Sequence, residues 1–159
     1  MTRTCRPQPA GRGQGNGNGK LPLAFRADPI DRIRSIQLGI AASSVVDMAR
    51  RMELPKERLI ACLGLARATI DRKVREGKLL SSDESERVLG MARLVGQVQA
   101  MVEESGNPAG FNAATWLSGW LWQPLPALGR KCPAEFMDTA EGQSMVATLL
   151  ARVQSGAYA

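Results

Sequence analysis

The stretch "SSDESERVLGMARLVGQVQAMVEESG", residues 81–106, decides the fold class of this chain. Ser81 and Glu84 have the spacing of a capping box, in which each side chain accepts a hydrogen bond from the backbone N–H of the other residue. Beyond this start, apolar residues recur at steps of three and four and form one stripe, made of Val88, Met91, Val95, Val98 and Val102. The pattern predicts a long amphipathic helix that ends at Gly106.

Helical signals also flank this stretch on both sides, and no period-2 alternation typical of strands occurs. Upstream, Asp28 is a candidate N-cap, with Pro29 at the first helical position, Gly39 as a stop and an apolar face of Ile30, Ile33 and Ile36. A further helix is predicted with Ser43 or Ser44 as its N-cap, and others are predicted to start at Pro55, Ala66, Asn107 or Asn112, and Pro133. The last helix has one apolar face, formed by Met145, Val146, Leu149, Leu150 and Val153. The fold class is therefore all-α, in two small helical parts.

The composition argues against an enzyme. The 159 residues include no histidine, which rules out a Ser-His-Asp triad, a His-Cys dyad or a His-ligated metal within this chain. The three cysteines are scattered and lack CxxC spacing, which fits a reducing cytoplasm better than a disulfide framework. Phosphate-binding glycine loops are absent in usable form, and the paired carboxylates lie at helix ends. We expect no catalytic residue, no metal site and no cofactor.

Charge divides the chain into three parts. Residues 1–20 carry a net charge of +4, residues 21–80 of +5 and residues 81–159 of −3. The first part is too poor in apolar residues to order itself, so we expect a disordered basic tail there. The second part suits a polyanion and the third another partner, although surface charge also varies by chance. With no apolar leader and no apolar run of about 18 residues, we expect a cytoplasmic protein without a membrane segment.

A helix-turn-helix is predicted within "PKERLIACLGLARATIDRKVREGKL", residues 55–79. A first helix ends at Gly64, and after a short turn a basic helix runs from about Ala66 to Glu76. Ile70 and Val74 would hold this second helix on the core. The residues left outside are the candidate DNA contacts: Arg67, Thr69, Arg72, Lys73 and Arg75. Arginine can neutralise phosphates or bind guanine, but a helical hairpin with a solvated basic face would leave the same pattern.

Two of the three tryptophans lie in "WLWQPLPALG", residues 120–129, where two prolines prevent a continuous helix. Trp120 has helical spacing to Trp116 and Phe111, which favours a core position. Trp122 is expected at the surface, because an aromatic on a proline-braced turn loses little conformational entropy when it binds a partner.

The C-terminal forty residues follow a family pattern with a WL pair, a PxxxLG turn, a Pro-initiated helix, a TxxG step and a VxxLLxR helix. The matching positions are Trp120-Leu121, Pro124, Leu128-Gly129, Pro133, Thr139, Gly142, Val146, Leu149-Leu150, Arg152 and Gly156. Together with Glu84–Arg87 and Met91–Arg93 upstream, they make residues 28–159 resemble the Xre/MbcA/ParS antitoxins, most closely the ParS-like members. The chain departs from the family at Arg130, where a second glycine is usual, and at Leu125, where asparagine is frequent.

The resemblance implies an Xre-like helix-turn-helix domain in residues 21–80 and a helical toxin-binding domain in residues 81–159. It further implies an antitoxin that covers the active site of a RES-domain toxin from the same operon. Such toxins are related to ADP-ribosyltransferases and act on NAD. The toxin-binding residues expected from the motif and its setting are Trp120, Trp122, Pro124, Leu128, Gly129, Arg130, Arg152, Gly156 and Tyr158.

The other partner implied by the resemblance is operator DNA, bound by a homodimer within a larger toxin–antitoxin complex so that the antitoxin represses its own operon. The alternative is a stand-alone Xre-like transcriptional regulator whose C-terminal half serves only dimerisation. A regulator of that kind does not need an exposed, tryptophan-bearing C-terminal surface.

Overall fold

A computed structural model describes residues 27–156, and within them the chain forms seven α-helices and no strand. The helices are α1 Pro29–Leu38, α2 Ser43–Arg51, α3 Lys56–Cys62, α4 Arg67–Arg75, α5 Ser82–Glu104, α6 Ala113–Leu121 and α7 Ala140–Gln154. Two short 3-10 segments, Pro126–Leu128 and Pro133–Phe136, lie between α6 and α7. The predicted all-α fold is confirmed. The expected basic tail of residues 1–20 lies outside the described residues.

The long helix α5 is the centre of the fold, as its apolar stripe predicts. Val88, Met91 and Val98 are buried, and α5 packs against α1, α6 and α7. Its predicted capping box is present, because Glu84 N–H donates to Ser81 Oγ over 3.2 Å and Ser81 N–H donates to Glu84 Oε2 over 2.8 Å. The buried side chains of all the helices except α1 form one hydrophobic core. No helix within residues 27–156 is both long and apolar enough to cross a membrane.

The N-cap residues predicted for the other helices agree with the structure, with one exception at α2. Asp28 accepts a 2.8 Å hydrogen bond from Ile30 N–H, and Asn112 accepts from the N–H groups of Ala114 and Thr115. The prediction that Ser43 or Ser44 caps α2 was wrong. The N-cap is Ala42, whose side chain is fully buried. Its N–H donates to the carbonyl of Lys78, so a contact distant in sequence fixes this helix start.

The apolar faces of α1 and α7 are less buried than their patterns indicate. Ile30 and Ile33 are 60% and 52% exposed, because α1 lies at the edge of the fold against α5. In α7, Val146, Leu149 and Leu150 are buried, whereas Met145 and Val153 remain partly exposed. Both helices therefore contact the core over a narrower stripe than predicted.

A very close approach of α7 to α5 positions the C-terminal part of the chain. A Cβ atom added at Gly90 would lie 1.6 Å from Gln143 Oε1, so only glycine leaves room for this buried side chain. Gln143 Nε2 donates to the carbonyls of Arg87 and Met137 over 3.0 and 2.9 Å. Further along, Gln97 of α5 donates to the carbonyl of Ala147 in α7. The crossing is held by polar bonds as well as by apolar packing.

We expect Gly90→Ala to lower the free energy of unfolding by about 1–2 kcal/mol, because the new methyl group displaces Gln143 and breaks both of its hydrogen bonds. The better helix propensity of alanine offsets only part of this loss. The matched control is Gly119→Ala in α6, where an added Cβ meets nothing within 4 Å. That variant should be as stable as the wild type or up to about 1 kcal/mol more stable. Urea unfolding measures both, and equal stabilisation by the two changes would contradict the close contact.

Candidate functional site

The helix-turn-helix predicted from the sequence is formed by α3 and α4. The two helices are joined by a short turn through Gly64, and Leu65 N–H donates to the carbonyl of Ile60 within it. Ile70 is fully buried and holds α4 on the core. The N-cap of α4 is Ala66, which offers no side-chain hydrogen bond. Packing and tertiary contacts therefore position α4, without help from an N-cap side chain.

The outer face of α4 presents three arginines to solvent. Arg72 and Arg75 are exposed, and neither has an ion pair within the described residues. Arg67 is also largely exposed, but its guanidinium lies 3.4 Å from a carboxylate oxygen of Glu57 and 3.7 Å from one of Asp71. Hydrogen bonding with Lys56, the main cause, holds the pKa of Asp71 below its usual range. The two arginines without an ion pair therefore lie in the C-terminal half of α4, near the carboxylate of Glu76.

The structure corrects the placement of one predicted DNA contact, Lys73. Its ammonium group lies 2.5 Å from Glu84 Oε2, and the two side chains are only 17% and 16% exposed. Burial acts to raise the pKa of Glu84, but hydrogen bonds from Lys73 and from Ser81 N–H outweigh it and lower the pKa. Lys73 points back towards α5 because it lies beside Ile70 and Val74 on the helix rather than opposite them. It ties α4 to the capping box of α5, whereas Thr69, which is half-buried, remains at the edge of the outer face.

Residues 122–131 form a compact turn between α6 and the second 3-10 segment. Leu125 and Lys131 form an isolated antiparallel bridge, with Leu125 N–H donating to Lys131 over 3.0 Å. Gly129 and Arg130 both have left-handed backbones, with φ of 64° and 66°. Arg130 N–H donates to the carbonyl of Leu125, and the Cys132 thiol contacts the carbonyl of Trp122 at 3.3 Å. Backbone and thiol hydrogen bonds thus close the turn.

The predicted toxin-binding residues of this turn differ in exposure. Pro124, Gly129 and Arg130 are exposed, and Trp122 and Leu128 are half-buried. Trp120, on the buried side of α6, is only 7% exposed, which removes it from the candidate surface and assigns it to packing. The structure thus places the two tryptophans as their spacing indicated.

The other aromatic residues near α6 form a row against Trp120. The ring of Trp116 stacks on that of Trp120 with centroids 6.3 Å apart, and Phe111 lies 6.4 Å from Trp116. Trp116 is the middle member of this row and is 37% exposed, so it is not a core residue. The C-terminal candidates Arg152 and Gly156 are exposed at and beyond the end of α7, and Tyr158 lies outside the described residues.

Two residues of α3 that sequence reasoning did not identify contact the C-terminal part of the chain, one at this turn and one at the second 3-10 segment. The Arg58 guanidinium carbon lies 4.3 Å from the ring centroid of Trp122, which is a cation–π distance. One helical turn later, the Cys62 thiol contacts the carbonyl of Ala134 at 3.5 Å. Burial, with a further contribution from Asp138, raises the pKa of Cys62 to about 12, so this thiol is structural rather than reactive. Local patterns carry no signal for either contact, because each joins residues more than sixty positions apart.

No cluster of residues within 27–156 has the composition of a metal site. A groove of about 550 Å³ lies between α1, α5 and α7 and is lined by a mixture of aliphatic, amide and arginine side chains. It does not bring together any of the predicted contact residues. The candidate functional surfaces are therefore the outer face of α4 and the turn of residues 122–131, linked by α3.

Comparison with known proteins gives two domain matches and one close relative. Residues 31–93 match the antitoxin Xre-like helix-turn-helix domain, and residues 106–156 match the antitoxin Xre/MbcA/ParS C-terminal toxin-binding domain. A Prs ADP-ribosylating antitoxin of Sphingobium sp. (strain YBL2) is 47% identical over 135 residues, which cover 85% of each chain. The two matched domains contain the two candidate surfaces in the same order.

We expect Glu84→Gln to lower the free energy of unfolding at pH 7 by about 1 kcal/mol, because Lys73 loses its charged partner. Since folding lowers the pKa of Glu84 from 4.5, its contribution is present above pH 4.5 and disappears as the pH falls through the folded-state pKa. The difference between variant and wild type should therefore shrink in acid. Denaturant unfolding across pH 3–7 checks this, with the exposed Glu86→Gln on the same helix as control. A pH-independent difference would contradict the ion pair.

Proposed function

This chain belongs to the Xre/MbcA/ParS antitoxin family, whose C-terminal domain binds a cognate toxin, and we propose that it silences that toxin by covering the active site. The toxin we propose is a RES-domain protein encoded in the same operon, related to ADP-ribosyltransferases and acting on NAD. The sequence motif of residues 120–156 supports this assignment, as does the name of the Sphingobium relative, which refers to ADP-ribosylation. We assign toxin contact to residues 81–159 and DNA contact to residues 21–80.

The observation that carries the occlusion proposal is a tryptophan held on a rigid, exposed turn inside the toxin-binding domain. Two prolines restrict the backbone of this turn, and the hydrogen bonds of Leu125 with Lys131 and Arg130 close it. Trp122 keeps part of its surface accessible beside Pro124 and Leu128. A preorganised aromatic loses little entropy on binding, and tryptophan is enriched among the residues that dominate interface energies. These properties suit an element that enters a concave active site.

The end of α7 is the second part of the proposed toxin-binding surface. Arg152 and Gly156 are exposed there, and the chain continues to Tyr158. Tyrosine is enriched at protein interfaces, because its ring is apolar and its hydroxyl forms hydrogen bonds. We therefore retain these residues as proposed contacts beside the turn of residues 122–131.

We also propose that α4 binds operator DNA in the cytoplasm and represses the antitoxin's own operon. The exposed guanidiniums of Arg72 and Arg75 suit base or phosphate contacts, with Thr69 at the edge and Arg67 at the N-terminal end of the helix. Helix-turn-helix proteins commonly bind paired half-sites as dimers, so we propose a homodimer within a larger complex with the toxin.

The alternative function, a stand-alone regulator whose C-terminal half only dimerises, has less support. Residues 106–156 match a toxin-binding domain, which a regulator that only dimerises would not need.

Co-expression with the neighbouring reading frame tests the toxin proposal directly. The neighbour carries the tag, and native mass spectrometry of the purified material gives the stoichiometry. We expect growth arrest when the neighbour is expressed alone, rescue by this chain, and co-elution of a stable complex in which NAD turnover by the neighbour is suppressed. A harmless neighbour that elutes alone would favour the stand-alone regulator. A complex that retains full NAD turnover would contradict occlusion while leaving toxin binding in place.

For DNA binding, we expect Arg72→Glu to weaken operator affinity by at least about a hundredfold at moderate salt, because a repelling charge replaces a phosphate or base contact. Neutralisation of the toxin should be unaffected. The control is Arg34→Glu on α1, an exposed arginine whose ion pair is with Asp31 on the same helix. Fluorescence anisotropy with the operon's promoter DNA measures both variants. Equal losses in the two would indicate a nonspecific charge effect and contradict binding through α4.

A further inference from the structure

Arg130 occupies a backbone conformation that disfavours it. Its φ of 66° lies in the left-handed region, where a Cβ atom clashes with the backbone and glycine is relaxed. The side chain is exposed, and its guanidinium makes no ion pair or hydrogen bond with any residue between 27 and 156. The backbone N–H of Arg130 bonds to Leu125, but its side chain has no contact within the described residues that would compensate for the strained position. Strain of this kind at an exposed turn points to a role outside the folded chain.

Two further cations flank the same turn. The Arg58 guanidinium stacks on Trp122, and the Lys131 ammonium lies 6.0 Å from the ring centroid of Phe136. Neither group forms an ion pair within the described residues. Two carboxylates on this side, Glu135, which accepts a hydrogen bond from Cys132 N–H, and Asp138, which acts on the Cys62 thiol, offset only part of the charge of the three cations. The surface around Trp122 is therefore locally basic, although residues 81–159 as a whole carry a net charge of −3.

We propose that Trp122, Arg58, Arg130 and Lys131 form a basic–aromatic platform that docks on a carboxylate-rich surface of the toxin. This inference rests on the proposed function and specifies the chemistry of the partner. Guanidinium groups form paired hydrogen bonds with carboxylates, and a central tryptophan with surrounding arginines is typical of the residues that dominate protein interfaces. Arg58 comes from the region that matches the helix-turn-helix domain, so the DNA-binding half supplies one contact to the toxin.

The composition of the platform favours a protein partner over nucleic acid. Half-buried apolar groups, Leu125 and Leu128 beside Trp122, belong to the same turn as the cations. Contacts to phosphate need positive charge but no apolar centre, whereas a protein interface combines an apolar core with a polar rim. The turn also lies inside the toxin-binding domain, residues 106–156.

The test compares three changes in the full-length chain against the purified neighbouring toxin. Arg130→Gly removes both the charge and the backbone strain, so we expect Tm to rise by roughly 2–4 °C while toxin affinity falls. Arg130→Gln removes the charge alone. The double change Arg130→Glu with Lys131→Glu reverses both charges and should raise Kd about tenfold or more at low ionic strength, with a smaller effect in high salt. Arg34→Glu is the control for a change of net charge elsewhere.

Opposite shifts of stability and affinity in Arg130→Gly would support the platform, because a purely structural role of this residue cannot produce them. The platform is wrong if the wild type binds the toxin and all three variants bind with unchanged Kd and salt dependence, a result that leaves the proposed function intact. It is also wrong if the variants lose operator affinity and keep toxin affinity, since the cations would then contact DNA. A wild-type chain that fails to bind the toxin overturns the proposed function and the platform together.

Discussion

The close contact between Gly90 and Gln143 is the constraint on which the C-terminal half depends. It lets α7 lie directly on α5, and Gln143 then reaches the carbonyl of Met137 just after the second 3-10 segment. The first turn of α7 is equally tight, because a Cβ at Gly142 would lie 1.9 Å from the carbonyl oxygen of Phe136. Two glycines, Gly90 and Gly142, therefore hold the segment that follows the turn of residues 122–131, because a side chain at either position would collide with a neighbouring group.

This fixed segment also contacts α3. The carbonyl of Ala134 meets the Cys62 thiol, and the ring of Trp122 meets Arg58, so one face of α3 lies against the C-terminal turn region. At the start of the same helix, Lys56 bonds to Asp71 of α4. A single helix of seven residues thus contacts the two surfaces to which we assign DNA and toxin. Any displacement of α3 on binding one partner would change the surface offered to the other.

Features governed by neighbouring residues could be predicted from the sequence. The capping box of Ser81 and Glu84 and the caps at Asp28 and Asn112 involve residues within three positions, so their types and spacing suffice. The buried stripe of α5 follows from helical periodicity. The start of α2 could not be predicted, because it is set by a bond from Ala42 to Lys78.

The candidate site was predictable only in part, for the same physical reason. The outward position of Arg72 and the burial of Ile70 follow from the helical pattern of α4. The prediction that Lys73 lies outside was wrong, because its spacing of three from Ile70 puts it on the inner side of α4, where it pairs with Glu84 of α5. The stacking of Arg58 on Trp122 depends on how α3 packs against the turn region that follows α6, which no local pattern encodes.

The continuity of α5 has a consequence for the exchange of modules between related antitoxins. The helix begins within the region matched by the helix-turn-helix domain and ends just before the toxin-binding match. A chimera joined between residues 94 and 105 would take Gly90 from one parent and Gln143 from the other. Such a graft keeps the tight crossing only where residue 143 of the second parent fits the space that Gly90 of the first parent leaves. A mismatch at this pair costs stability, so a join within α5 has to conserve both residues together.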